Sequence, residues 1–157
     1  MQRIYHIDTC ILVSLLNSRD PHHRMYNHLF IRHNKYCLFR ITHIALGETI
    51  HILMNNNIDL SLDELSSKLQ YYNIQIRSMP DFNSLREIIN TIKEYDDRLD
   101  YNDILIVAAA IADNESIGLI TMDSDMIGNH AIDEAARKHS EKRFIVSDNP
   151  FKRRRGR

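Results

Sequence analysis

Asp8, Glu48, Asp103 and Asp123 each stand against an apolar segment: Ile4-Tyr5-His6-Ile7 precedes Asp8, Ile44-Ala45-Leu46 precedes Glu48, Ile104 to Ala112 follows Asp103, and Ile117 to Met122 leads into Asp123. An ionised carboxylate in such surroundings is costly unless a cation or hydrogen bonds compensate it. Hard divalent cations such as Mg²⁺ take oxygen ligands. Acids far apart in sequence therefore have a reason to meet, and the chemistry they suggest is that of a metal site.

Each acid also has a local explanation. Asp8, between a strand and a helix, can be an N-cap accepting a backbone N–H. Glu48 shares a helix face with Ile41, Ile44, Ala45 and Ile52, so it points inward, as a ligand or catalytic group or as half of a structural ion pair. Asp103 opens a helix that is apolar nearly all round, with Asp100 as the cap and Asp103 a first-turn partner of the helix dipole. Asp123 and Asp125, in Thr121-Met122-Asp123-Ser124-Asp125, can make an Asx-turn. Their conjunction, more than any one of them, carries the functional reading.

The elements that would position these acids follow from periodicity. Ile4 to Asp8 reads as a strand feeding a helix over Thr9 to Leu16. Asp20-Pro21 starts a helix running to about His33, Tyr36 to Phe39 is a second strand, and Thr42 to Met54 is a helix ending at Asn55-Asn56-Asn57. Ser61 with Glu64 forms a capping box, and Ile74-Gln75-Ile76 is a third strand. Helices are expected after Pro80 through Ile92, over Asn102 to Asp113 and over Ala131 to Lys138; strands are expected at Ile117 to Thr121 and Arg143 to Val146. Strands separated by helices imply an α/β fold with a mainly parallel sheet, whose sites gather at the C-terminal edge of the strands.

The 157 residues, 43% hydrophobic and 26% charged, suit one globular domain that buries roughly 70% of its unfolded surface. We expect a domain over residues 1–149 and a basic tail over 150–157. No apolar run is long enough to span a bilayer, and Asp8 interrupts any secretory h-region, so a cytoplasmic location is expected. Cys10 and Cys37, both among apolar neighbours, read as buried free thiols. Lys152, Arg153, Arg154, Arg155 and Arg157 put five positive charges in the last seven residues, so an overall charge of −1 leaves −6 on the rest.

The segments Ile7-Asp8-Thr9, Ile44-Ala45-Leu46-Gly47-Glu48, Asn102-Asp103-Ile104 through Ala110, and Leu119-Ile120-Thr121-Met122-Asp123-Ser124-Asp125-Met126, in this order and spacing, resemble the PIN-domain ribonucleases and, in size and layout, the VapC-type toxins of toxin–antitoxin pairs. The resemblance implies a three-layer α/β/α sandwich. It further implies that Asp8, Glu48, Asp103 and Asp123 surround one or two Mg²⁺ or Mn²⁺ ions. Asp8, Asp103 and Asp123 would be direct or water-mediated ligands, Glu48 a ligand or the group orienting the attacking water, and Asp125 a less uniform member. Thr9 and Thr121 look like the family's hydroxyl neighbours. The implied activity is metal-dependent endoribonuclease chemistry on phosphodiester bonds, with RNA as substrate, a cognate antitoxin as partner and homodimerisation.

The basic end departs from the family core; it can contact RNA phosphates or a protein, or simply be solvated. An RNA-processing nuclease of the same fold, and a non-catalytic PIN-like module binding RNA or protein, are the rival readings. A haloacid-dehalogenase-type phosphatase would want an acid where Cys10 stands, and no G-x-x-x-x-G-K-[ST] loop occurs. The histidines include no H-E-x-x-H pattern for zinc, and two cysteines cannot form a zinc ribbon.

Overall fold

A computed structural model describes residues 2–152; Arg153, Arg154, Arg155 and Arg157 of the basic end lie outside the described residues. The elements are β1 (Arg3–Ile7), α1 (Thr9–Leu16), α2 (His23–His33), β2 (Cys37–Thr42), α3 (His43–Asn55), α4 (Leu62–Tyr71), β3 (Ile74–Arg77), α5 (Phe82–Tyr95), α6 (Tyr101–Ala112), β4 (Ser116–Ile120), α7 (His130–His139) and β5 (Ile145–Ser147). The strands form one sheet in the order β3-β2-β1-β4-β5, and every pairing is parallel. The expected α/β fold is observed, and the sheet is parallel throughout.

Crossover helices cover both faces, because a parallel sheet exposed to water would leave apolar side chains on both sides unburied. Helix α1 packs against both α2 and α3, while α5, α6 and α7 pack with one another. On the first face Phe30 of α2 stacks on Phe39 of β2, with ring centroids 4.1 Å apart. The core is continuous from Tyr5 and Ile7 to Ile41, and α6, apolar nearly all round, is buried at Ile104 and at every position from Ile106 to Ile111.

Local signals set several helix starts. Asp8 caps α1, Ser61 and Glu64 form the reciprocal capping box of α4, and Asp100 caps α6. Strand ends differ from the pattern-based reading where pairing decides them. β2 runs on to Thr42 because its register with β3 continues to Thr42 and Arg77, and Thr42 then caps α3 through its side chain. β5 starts at Ile145, where it pairs with Gly118; a Cβ at Gly118 would run into the Ile145 carbonyl. No helix among the described residues is long and apolar enough to cross a membrane.

Candidate active site at the C-terminal edge of the sheet

β1 and β4 lie side by side, so the residues that follow them, Asp8 and Asp123, leave the same edge of the sheet. Asp8 is 5% exposed and Thr121 is fully buried. The Asp8 carboxylate is fixed by three donors: the Thr9 backbone N–H at 2.7 Å, the Thr121 hydroxyl at 2.7 Å and the Cys10 thiol at 3.5 Å. Thr121 Oγ1 also accepts the Asp123 N–H at 3.0 Å, so one buried hydroxyl joins two of the acids. The local roles foreseen for Asp8 and Asp123 are real: Asp8 caps α1, and Asp123 accepts the Asp125 N–H at 2.8 Å in an Asx-turn. A capping carboxylate keeps lone pairs free, so these roles do not compete with ligation.

Glu48 arrives from α3. The buried face of that helix centres on Ala45, Thr49 and Leu53, which places Glu48 at its border, half-buried, and not on the midline. Both of its oxygens are held: Thr9 Oγ1 donates to one at 2.7 Å, and Asn102 Nδ2 donates to the other. Asn102 was not singled out by its pattern. Its bond to Glu48 joins residues 54 positions apart, and only the packing of α3 against α6 reveals it.

Asp103 comes from the first turn of α6, between the two helical layers. Burial, and then the fields of Asp8, Asp123, Asp100 and Glu48, lift its carboxyl from the ordinary 3.8 to about 6. Asp8 is also raised, by burial first, against the opposing effect of its hydrogen bonds. Both shifts have the physical cause expected of like charges held near one another in partly buried surroundings. All four sequence-predicted acids are thus brought together. Among the described residues, no three His, Cys, Asp or Glu side chains are gathered closely enough to hold an ion directly. The donor set nevertheless fits Mg²⁺ or Mn²⁺: its charged groups are carboxylates, and such ions keep several waters while binding one or two protein oxygens.

Asp125 is exposed, and its field is felt at Arg98. Its loop is tied down by Asn129, whose Nδ2 donates to the Asp125 carbonyl at 2.9 Å and to Asp96 Oδ2 at 3.1 Å. Cys10 is a free thiol, as expected, but it is partly and not fully buried, because it belongs to the site: it also accepts the Met122 N–H at 3.3 Å. Burial and the Asp8 charge push this thiol up to about 12, so it stays protonated and serves as a donor. Cys37 is buried and free.

A second polar cluster lies on the sheet face under α6. His6 and Arg40, paired in register on β1 and β2, converge on Asp113 at the C-terminal end of α6, at 2.8 Å and 2.7 Å. Arg40 reaches Glu115 as well, at 2.6 Å. Burial would raise the Asp113 carboxyl, but hydrogen bonds from His6 and Arg40 outweigh it and hold the group well below the usual carboxylate range.

The molecule is thus a parallel α/β protein with an acid pocket at the C-terminal edge of its sheet, to which strand ends bring Asp8 and Asp123 and helices bring Glu48 and Asp103. The family model described as the PIN domain matches residues 5–131, and the chain belongs to that family. A chain in the solved structure described as VapBC2 from Rickettsia felis bound to a DNA fragment from their promoter has the same fold. It is 19% identical, with a TM-score of 0.55 over 91% of this chain and 98% of that one. No curated protein matches the sequence significantly.

Proposed function

We propose that this protein is a metal-dependent endoribonuclease, acting as the toxin of a toxin–antitoxin pair. The observation that carries the nuclease reading is the hydrogen-bonded convergence of acids at one sheet edge: buried Thr121 joins Asp8 to Asp123, Thr9 and Asn102 hold Glu48, and the neighbouring Asp103 has its carboxyl raised to about 6 by burial and by these acids. A structural ion pair would lower it. The likeness in fold to a chain of the VapBC2 structure supports the toxin reading, together with an antitoxin as partner; a homodimer in the cytoplasm is part of the same proposal.

Asp8, Asp103 and Asp123 would hold Mg²⁺ or Mn²⁺, directly or through water. When bound, the ion supplies Lewis acidity, neutralising charge on the attacked phosphodiester and on the leaving oxygen and acidifying water. Asp8 enters in one orientation, because Thr9 N–H, Thr121 and Cys10 fix both of its oxygens. Glu48, clamped by Thr9 and Asn102, is positioned to orient the attacking water and accept its proton. Asp103 retains a proton below about pH 6 and gives it up when positive charge enters the pocket. Asp125 stays at the rim as a weaker candidate ligand.

The test is cleavage of total RNA by the purified full chain with Mg²⁺, Mn²⁺ or EDTA, beside an Asp8→Asn, Asp103→Asn double variant. Cleavage that requires metal and is lost in the variant is the expected result. A folded wild-type protein that neither cleaves nor binds metal would replace the nuclease with a PIN-like binding module.

A further inference from the structure

A polyanion cut among four carboxylates must be held by cations elsewhere, and three grooves on the described surface that share lining residues carry such cations. A groove of about 560 Å³ begins at Met122 and Ser124, the neighbours of Asp123, and reaches Met25 on α2. Met25 also lines a second groove of about 490 Å³, which carries His28, Arg32 and Lys152. That groove shares His33, Phe151 and Lys152 with a third, of about 690 Å³, ending at Arg3 and Tyr36. His22, Met25, Leu29 and Arg32 recur every three or four residues, so one face of α2 forms the floor along this path.

We propose that these grooves are one track for single-stranded RNA, running from the catalytic acids along α2 towards the basic end of the chain; the proposal rests on the ribonuclease reading. Arg3, Arg32 and Lys152 give the track positive charge; Asp148 is the one acid among the described residues that line it, and it lies 3.7 Å from the Lys152 ammonium in an exposed pair that a phosphate can displace. This contrasts with a chain that is net −6 outside its last seven residues. Met25 and Tyr36, 48% and 68% exposed, supply apolar and aromatic faces of the kind on which unpaired bases stack. The far end is anchored: the Phe151 ring lies against His33, at 3.9 Å and nearly parallel, and edge-on to Tyr5 at 5.4 Å. Lys152 is therefore held at the end of α2, directly before Arg153-Arg154-Arg155 in sequence. Phosphates would meet the cations while bases lie on Met25 and Tyr36, a combination suited to a single strand.

The test measures binding of a labelled single-stranded RNA of about 12 nucleotides, within the site sizes such grooves hold, to the uncleaving full-chain Asp103→Asn protein across a salt series. Adding Arg32→Ala and Lys152→Ala should weaken binding roughly tenfold at low salt and lower the slope of log affinity against log salt by about 1.4, at about 0.7 per lost phosphate contact. Lys68→Ala with Arg86→Ala removes the same charge from exposed positions off the track and should leave the slope unchanged. Equal slopes for the two pairs would overturn the track, leaving the grooves to a protein ligand if neither pair affects binding. Should the wild type also fail to cleave RNA with metal, the ribonuclease reading itself fails; cleavage by the wild type with an unaffected track pair refutes the track alone.

Discussion

Replacing Asp103 by Asn should stabilise the ion-free protein while abolishing its activity, the reverse of what removing a structural acid does. The carboxyl sits at about 6 in the folded chain against an ordinary 3.8. At about 1.4 kcal/mol per pH unit, the ionised form is disfavoured on folding by at most about 3 kcal/mol. The side chain is only half-buried, and solvent screening reduces this to about 1–2 kcal/mol. Losing a negative charge from the first turn of α6 gives back about 0.5 kcal/mol. The net gain at neutral pH is about 1 kcal/mol, or roughly 2–4 °C in Tm for a domain of this size. Because the folded state binds more protons than the unfolded state between about pH 4 and 6, Asp103 makes stability in EDTA fall as pH rises through that window, then level off. The Asp103→Asn protein lacks this contribution to the pH profile, and Mg²⁺ raises its Tm less than that of the wild type. Thermal unfolding followed by circular dichroism at several pH values, with EDTA or Mg²⁺, measures all of this. A variant less stable than the wild type in EDTA at neutral pH would refute the repulsion argument.

Two further substitutions examine the supports of the site and of the sheet. Thr121→Val removes the donor to Asp8 and the acceptor for the Asp123 N–H in a fully buried position; a loss of about 1–3 kcal/mol is expected. The Mg²⁺ concentration needed for half-maximal stabilisation should also rise several-fold, and an unchanged Mg²⁺ midpoint would show that the hydroxyl does not position Asp8. Arg40→Met leaves Asp113 with the His6 ring as its one remaining side-chain partner and should cost about 3–5 kcal/mol in urea unfolding at neutral pH. The lowered Asp113 contributes stability above about pH 4 that is lost as pH falls further, so the gap between variant and wild type should narrow in acid. A gap that stays constant would mean that the ion pair is not its source.

Much of the site was legible because it is built at element boundaries. A strand ending at Ile7, a strand ending at Ile120 and a helix beginning at Tyr101 each present an acid within a few residues, and a parallel sheet brings strand ends to one edge. Caps are short-range hydrogen bonds, so Asp8, Ser61 with Glu64 and Asp100 could be read in their own neighbourhoods. The inward tilt of Glu48 was read from helical spacing, but its place at the border of the buried face depends on how α3 is rotated against α1 and α6.

What the amino-acid sequence determined by itself is what lies within a turn or two of chain: the alternation of strands and helices, their caps, and four acids, three at element junctions and Glu48 on a helix face, where burial is costly. Tertiary structure alone decided which distant groups meet. The Asn102 clamp on Glu48, the Met122 N–H bonded to the Cys10 thiol, the His6–Asp113 pair spanning 107 residues and the joining of α2 to the chain's end through Phe151 all depend on strand register and helix docking. The free energy of those contacts comes from burial shared across the whole sheet, which no local pattern encodes.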